Sequence, residues 1–188
     1  ALLSTPSKGM ESMLGNCISI ASNLEEAEEK LFKLLNDHRY RETAAHLGYR
    51  KVMNNHTYFH RINYLLDKIG HKTLQEKQPL VSCITCSNRP NMFENIMNNF
   101  DSQKHANKEL ILLMQGSDDE YYNIGKKLEN RDNIILLRQL EEELLGAVFN
   151  RGVDASSGDY IAKFDDDDKY GPHYICDGLL PFNFTSAS

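Results

Sequence analysis

Short apolar runs alternate with helix-like segments along the second half of the chain. Four such runs predict β-strands, at residues 80–85, 109–114, 133–137 and 160–164. Between them, apolar residues recur at helical spacing near residues 93–100, 121–128 and 140–155. Strands that alternate with helices are typical of βαβ units, so we predict an α/β fold with a mainly parallel sheet and flanking helices.

The first 70 residues have a different pattern, in which a short strand and a turn precede two helical stretches. Ser22 to Glu25 has the spacing of a capping box at the start of the first helix. Apolar residues then follow at helical spacing, namely Leu24, Ala27, Leu31, Leu34 and Leu35. A second, longer helix is predicted from about residue 39 to residue 69, with Gly70 as its C-cap.

These patterns divide the chain into three parts. Residues 1–70 form a mostly helical segment, and the polar stretch 71–79, which ends in proline, is predicted to be a linker. Residues 80–188 form the α/β domain. A chain of 188 residues is long enough for one good core or two small ones.

Composition narrows the class of protein. The chain is 40% hydrophobic and 26% charged, which is ordinary for a globular protein. A formal net charge of -6 argues against nonspecific binding to nucleic acid or to an anionic membrane. No apolar run has the roughly 18 residues of a membrane span. The four cysteines lack the spacing of a disulfide framework, from which we expect a reducing, cytoplasmic location. The first residue is not Met, from which we expect a piece of a longer protein.

Cys83 and Cys86 have the CxxC spacing of redox pairs and zinc sites, but they lie inside an apolar run. Residues three apart on a strand point to opposite faces, so the two thiols cannot converge there. We therefore favour two buried small side chains over a redox or zinc pair.

His56 and His60 are spaced as zinc-binding histidines on a helix would be. Thr57 stands where the zinc-protease motif needs glutamate, and no third ligand is evident. A helix surface with two polar aromatic side chains is the better interpretation.

Four consecutive aspartates, Asp165 to Asp168, follow the last predicted strand. Ligands of parallel α/β sheets bind beyond the carboxyl ends of the strands, and carboxylate oxygens bind hard divalent cations. An EF-hand does not fit, because Tyr170 stands where that loop needs glycine and Cys176 where it needs glutamate. The run is therefore a candidate metal site for a phosphate-containing ligand, and the alternative is a solvated charge run.

Four sequence blocks in the α/β domain carry a family resemblance. They are VSCITCSNRP at 81–90, KELILLMQGS at 108–117, GAVFNRGVDASSGDYI at 146–161 and FDDDDKYGP at 164–172. In this order and spacing, residues 80–177 resemble the nucleotide-binding half of family 2 glycosyltransferases. The resemblance implies a partial, Rossmann-like GT-A fold that binds a nucleotide-sugar donor through Mn²⁺ or Mg²⁺.

The resemblance also implies site residues. Asp165 and Asp167 match the two metal-binding carboxylates. The positions that match nucleotide-sugar contacts are Thr85, Ser87, Arg89, Gln115, Asn150 and Asp166, the last at the ribose. Two positions depart from the family pattern: Gln115 replaces the aspartate that usually binds the base, and Phe149 replaces an arginine often found before Asn150.

Residues 1–70 have a second, weaker resemblance to the C-terminal tail of a GT-B-fold glycosyltransferase of the bacterial spore-maturation type. It rests on the segments ALLSTPSKGMESMLGNCISIASNLEEAEEKLFKLL and HTYFHRINYLL. Together the two resemblances imply a piece of a longer protein with two transferase modules in tandem.

We expect a glycosyltransferase module that acts on an unknown glycan or protein acceptor. The catalytic base is expected beyond Ser188, with Asp177 a weaker candidate. The incomplete sheet is expected to be loose at its C-terminal edge or paired with a second copy in a homo-oligomer. Two alternatives remain: a non-catalytic nucleotide-binding or scaffold fragment, and a metal-dependent nucleotidyltransferase, for which only Arg89 supplies a basic residue near the first strand.

Overall fold

Two structural units make up the chain in the computed structural model, Ala1–Glu76 and Lys77–Ser188. The structure describes residues 1–75, 78–183 and 185. The division between the units falls inside the segment 71–79. Among the described residues, no helix combines the length and the apolar character needed to cross a membrane.

The first unit is mostly helical. Two short strands, β1 (Leu3–Ser4) and β2 (Ser19–Ile20), pair in parallel. The helices are α1 (Met10–Leu14), α2 (Leu24–Asn36), α3 (His38–Asn55) and α4 (Tyr58–Lys68).

The start of α2 corrects the predicted capping box by one residue. Asn23, not Ser22, is the N-cap, and its side-chain oxygen accepts a hydrogen bond from the Glu26 backbone N–H at 2.8 Å. The Glu26 carboxylate in turn accepts from the Ser22 backbone N–H at 3.0 Å. Asparagine caps helices as well as serine does, so the sequence pattern allowed both registers.

The predicted helix from 39 to 69 was wrong as a single element, because it is interrupted between α3 and α4. The His56 ring is hydrogen-bonded to the Met13 carbonyl oxygen at 2.8 Å, and Thr57 has the extended backbone of an N-cap. His60 is hydrogen-bonded to the Thr57 hydroxyl at 2.7 Å. The two histidines therefore do not share one helix. Gly70 follows α4 with a φ of 70°, which confirms its predicted capping role.

The second unit has a four-stranded, fully parallel sheet in the order β5-β4-β3-β6. The strands are β3 (Val81–Ser87), β4 (Lys108–Met114), β5 (Ile134–Arg138) and β6 (Tyr160–Lys163). The helices are α5 (Phe93–Asp101), α6 (Asp118–Leu128), α7 (Leu145–Asp154) and α8 (Tyr174–Leu179). The predicted α/β class is confirmed.

Each face of this sheet buries its own apolar cluster. Cys83 is in the cluster that contains Phe93 and Phe100, whereas Cys86 packs against the cluster on the other face, which contains Val148. The two thiols therefore point to opposite faces, as predicted. Burial raises the pKa of Cys83 to about 12 and that of Cys86 to about 11, so both thiols stay protonated and unreactive at neutral pH.

The strand order creates a crevice at one edge of the sheet. The first strand of this unit, β3, lies between β4 and β6. The chain runs outward from β3 to β4 and β5 and then crosses back to β6 on the other side of β3. At such a switch point the loops after the two neighbouring strands separate and leave room for a ligand. Here those loops follow β3 at Ser87 and β6 at Lys163.

Candidate active site

A cavity of about 720 Å³ opens at the carboxyl ends of β3 and β6. Its walls include Ser87 at the end of β3, Asn88 and Arg89 after it, Phe164 to Asp167 after β6, and Phe149 and Asn150 from α7. Of the residues predicted for the site, the cavity brings together Ser87, Arg89, Asn150, Asp165, Asp166 and Asp167. The two sequence segments that carry the charges are thus neighbours in space, as parallel strands β3 and β6 require.

Asp166 is the buried member of the acidic run, with 6% of its surface exposed. Its carboxylate accepts short hydrogen bonds from the Ser87 hydroxyl and the Arg89 Nη2, and a third from Arg89 Nε at 3.0 Å. Burial alone would raise the pKa of Asp166, but the hydrogen bonds from Arg89 and Ser87 outweigh it and lower the pKa below 3.8. Asp166 is therefore an anion that joins the two loops, and both its oxygens already have protein partners.

Asp165 and Asp167 are the more accessible carboxylates. The Asp167 side chain is 55% exposed and lies 3.1 Å from Arg89 Nη2, so one guanidinium contacts two aspartates. The Asp165 side chain is 48% exposed and pairs with Lys163 at 2.6 Å. The carboxylates raise the pKa of both partners: that of Arg89 through the hydrogen bonds that it donates to Asp166 and Asp167, and that of Lys163 through the hydrogen bond that it donates to Asp165.

The donor set fits a hard divalent cation that also binds a phosphate ligand. Asp165 and Asp167 both line the cavity, are half-exposed, and are each held by one side-chain cation. Mg²⁺ and Mn²⁺ are bound through one or two carboxylates, with the remaining positions filled by water and phosphate oxygens. Within the part of the chain that the structure describes, no group of three or more His, Cys, Asp or Glu side chains could hold a metal ion.

Aromatic side chains stabilise the loop of residues 165–171, which we call the acidic loop. The Tyr170 hydroxyl accepts a hydrogen bond from the Asp165 backbone N–H at 2.8 Å, which closes the loop on itself. The Tyr170 ring stacks on Phe164, with centroids 4.3 Å apart and planes 8° from parallel. The Tyr174 ring meets both of these rings edge-on. The aspartates therefore lie on a loop that packed aromatic rings hold in place.

Glu143 also lines the cavity, and it forms an ion pair with Arg151 that the sequence pattern did not reveal. Glu143 accepts two hydrogen bonds from Arg151 at 2.6 Å and one from the Leu140 backbone N–H at 2.8 Å. These bonds, that from the Leu140 backbone foremost, lower the pKa of Glu143. Because Glu143 folds residues 140–144 back onto α7, the helix begins at Leu145 and not at the predicted residue 140.

Thr85 and Gln115 are not part of the cavity wall. Thr85 lies inside β3 and is fully buried, and its hydroxyl oxygen has no hydrogen-bond partner among the described residues. Gln115 follows β4, where its backbone N–H donates to the Ser87 carbonyl oxygen at 2.8 Å. Asp177, on α8, is also outside the residues that line the cavity.

Gln139 was missed by the sequence reasoning. It follows β5 and lines the cavity, and its side-chain oxygen is buried without a partner among the described residues. Buried acceptors are normally satisfied, so this oxygen is suited to a hydrogen-bond donor from a ligand. The only available signal was its place just after a predicted strand, a position like that of Arg89 and of the acidic run.

Comparison with known families agrees with this geometry. Residues 81–187 match the family model described as Glycosyl transferase family 2. The match covers more than half of the chain, and this chain therefore belongs to glycosyltransferase family 2.

Individual relatives are more distant. The poly-beta-1,6-N-acetyl-D-glucosamine synthase of Staphylococcus aureus is 26% identical over 126 residues, which are 65% of this chain and 31% of that protein. The chain thus spans about a third of the length of this curated relative.

Two solved structures show partial similarity. Staphylococcus aureus TarS in complex with UDP-GlcNAc has a TM-score of 0.46 at 18% identity, over 55% of this chain and 31% of that one. The mannosyltransferase PcManGT from Pyrobaculum calidifontis, in complex with GDP-Man and Mn²⁺, has a TM-score of 0.48 at 14% identity. That match covers 75% of this chain and 42% of the mannosyltransferase chain.

Proposed function

We propose that the Lys77–Ser188 unit binds a nucleoside-diphosphate sugar with Mn²⁺ or Mg²⁺ and serves in glycosyl transfer to a glycan or protein acceptor. The observation that carries this proposal is the cavity at the switch point of the sheet, where Ser87 and Arg89 meet the acidic loop. Membership of glycosyltransferase family 2 supports the reaction class. We further propose that the protein acts in the cytoplasm.

In this proposal Asp165 and Asp167 hold the cation, because they are the accessible carboxylates in the cavity. When bound, the cation neutralises charge that grows on the departing diphosphate. Asp166 keeps Arg89 in place, and the guanidinium adds a fixed positive charge at the same wall. Asn150 and Gln139 line the cavity and offer neutral hydrogen-bonding groups to the donor.

The donor is proposed to be a nucleotide-linked sugar of the kind used to build polysaccharides. The Staphylococcus aureus relative is named for a polymer of N-acetylglucosamine, which supports this class of donor. Thr85 and Gln115 remain predicted nucleotide contacts from the sequence resemblance, although neither lines the cavity.

Calorimetric titration tests the proposal. UDP, GDP, CDP and dTDP are titrated into the chain with and without MnCl₂, and MnCl₂ is titrated alone. We expect Mn²⁺ to bind weakly alone and much more tightly with one of the diphosphates, because two carboxylates leave coordination positions that phosphate oxygens fill. Tight Mn²⁺ binding that no diphosphate changes would contradict the proposed function.

Asp167→Asn and Asp168→Asn form a matched pair in the same titration. Asp167 lines the cavity, whereas Asp168 is exposed and outside its wall. We expect Asp167→Asn to weaken metal-dependent diphosphate binding by about 10-fold or more and Asp168→Asn to change it by less than about 2-fold. Equal losses from both variants would remove the assignment of Asp167.

A further inference from the structure

Three side-chain amides face the acidic loop from one side of α5. Asn95 and Asn99 are four residues apart on the helix, and Gln103 follows four residues later, just beyond the helix end. Residues at this spacing lie above one another along a helix. We call Asn95, Asn99 and Gln103 the amide ladder.

The first two members bind the backbone of the acidic loop. Asn95 Nδ2 donates to the carbonyl oxygens of Asp166 at 2.7 Å and Asp168 at 3.0 Å. Asn99 Nδ2 donates to the Asp168 carbonyl oxygen at 2.9 Å, and Asn99 Oδ1 accepts from the Tyr170 backbone N–H at 3.0 Å. Both donors and acceptors of the loop backbone are thus paired with α5.

Gln103 extends the ladder to the end of the loop. Its Nε2 donates to the Gly171 carbonyl oxygen at 3.0 Å and to the Asn99 carbonyl oxygen at 3.1 Å. Its Oε1 accepts from the Ile175 backbone N–H at 3.3 Å, at the start of α8. Asn99 and Gln103 are 7% and 4% exposed, so these bonds form away from competing water.

The chemistry of the ladder suits a loop that carries four adjacent carboxylates. Those carboxylates repel one another, and a lysine or arginine used to hold the loop would also pair with them. Neutral amides instead bind the backbone of Asp166 and Asp168, and the Asp167 side chain remains half-exposed in the cavity. The ladder therefore holds the loop backbone in place without pairing with the loop's carboxylates.

We propose that Asn95 and Asn99 are positioning residues that set the affinity of the acidic loop for a divalent cation. The inference rests on the proposed function, since it assigns the loop to a cation. A loop that is already held in place does not lose conformational freedom when the cation binds, so its affinity is higher. Mutation of a residue that hydrogen-bonds to metal ligands typically changes the metal affinity by about 10- to 100-fold.

The test compares Asn95→Ala and Asn95→Asp with Asn98→Asp. Asn95→Ala removes the two donors, and Asn95→Asp keeps the shape but turns a carboxylate toward two carbonyl oxygens. Asn98 is an exposed residue of the same helix, so Asn98→Asp adds the same charge away from the loop. Circular dichroism and thermal unfolding establish that each variant is folded.

The first measurement is hydrogen–deuterium exchange of peptides that cover residues 165–171, with no metal or nucleotide added. We expect exchange in this segment to be about 10-fold faster in both Asn95 variants than in the wild type and in Asn98→Asp. Exchange in the Asn95 variants that equals the wild-type rate would overturn the role of the ladder.

The second measurement is Mn²⁺ binding by electron paramagnetic resonance, alone and with each of UDP, GDP, CDP and dTDP. Calorimetric titration measures binding of the same diphosphates without metal. We expect the metal-dependent part of diphosphate binding to fall by about 10- to 100-fold in the Asn95 variants, while metal-free diphosphate binding is unchanged. A residue that only stabilises the fold would lower both. Unchanged Mn²⁺ affinity would overturn the inference, whereas failure of the wild type to bind Mn²⁺ with any of the four diphosphates contradicts the proposed function itself and the metal role with it.

Discussion

At the scale of single residues, Asp166 is the side chain that joins the two loops of the site. Ser87 ends the first strand of the second unit and Arg89 follows it, whereas Asp166 follows the last strand. One buried carboxylate accepts hydrogen bonds from both of these residues. Hydrogen bonds to a charged acceptor are stronger than those between neutral groups. The Asp166 carboxylate is also shielded from water. Asp166 therefore stabilises the cavity wall even before any ligand binds.

Replacement of Asp166 by asparagine is expected to lower the free energy of unfolding by about 1–3 kcal/mol near pH 7, because the charge-assisted bonds are lost while the shape is kept. The pKa of Asp166 is lowered in the folded protein, below the ordinary value of 3.8. Its stabilisation is therefore complete above pH 3.8 and is lost as the pH falls through the lowered pKa. Urea unfolding across this range should show the wild type converging on the variant in acid.

Asp168→Asn is the control for this prediction, because Asp168 is exposed and the loop uses its backbone carbonyl. We expect that variant to stay within about 0.5 kcal/mol of the wild type. A difference between wild type and Asp166→Asn that does not shrink in acid would show that the loss arises from packing and not from the charge.

At the scale of elements, α7 approaches the sheet closely at Gly152. A Cβ at this position would lie 2.7 Å from Ile84 Cγ2 and 2.9 Å from Leu113 Cδ1. The position is fully packed between β3, β4 and the helix, and Val148, one turn earlier, is also buried. Glycine is therefore needed here for close approach and not for a turn.

Gly152→Ala is expected to destabilise the protein by about 1–3 kcal/mol, because the added methyl group overpacks the contact with the sheet. Gly146→Ala in the same helix is the matched control, since nothing lies within 4 Å of its added Cβ. That variant should gain up to about 1 kcal/mol from helix propensity. Thermal or urea unfolding of both variants measures the difference, and equal stability of the two would contradict the packing argument.

The elements of the second unit were predictable because their signal is local. The run from residue 80 to 85 is apolar and β-branched, and β3 occupies Val81–Ser87. Errors occurred where a distant or alternative polar contact decides a boundary. The start of α7 depends on the Glu143–Arg151 pair. At the break between α3 and α4, the His56 ring is hydrogen-bonded to the Met13 carbonyl oxygen. Apolar periodicity does not detect such contacts.

Which residues meet in the cavity was more predictable from the sequence than the role of each residue. The acidic run, Ser87 and Arg89 meet in one cavity, as loops after neighbouring parallel strands must. Which carboxylate is buried depends on contacts with residues almost eighty positions earlier, and these follow only from the folded chain. The amide ladder has no signal in the sequence, because asparagine and glutamine on a helix usually face solvent.

At the scale of the whole molecule, the described residues that line the candidate active site all lie in the second unit. The residues of its two apolar clusters, from Val81 to Ile175, also belong to this unit. We therefore expect the core and the site to form from residues 77–188 without the first 76.

The last prediction is that a fragment of residues 77–188 unfolds cooperatively and keeps the metal-dependent diphosphate affinity of the full chain. We expect the two dissociation constants to agree within about 2-fold, or roughly 0.4 kcal/mol, because the described residues that line the cavity all lie within the fragment. Calorimetric titration of both chains with UDP or GDP in MnCl₂ measures this, with a fragment of residues 1–76 as the negative control. If the 77–188 fragment is folded but binds much more weakly, residues of the first unit contribute to the donor site. Binding by the 1–76 fragment would place a second nucleotide site in the first unit.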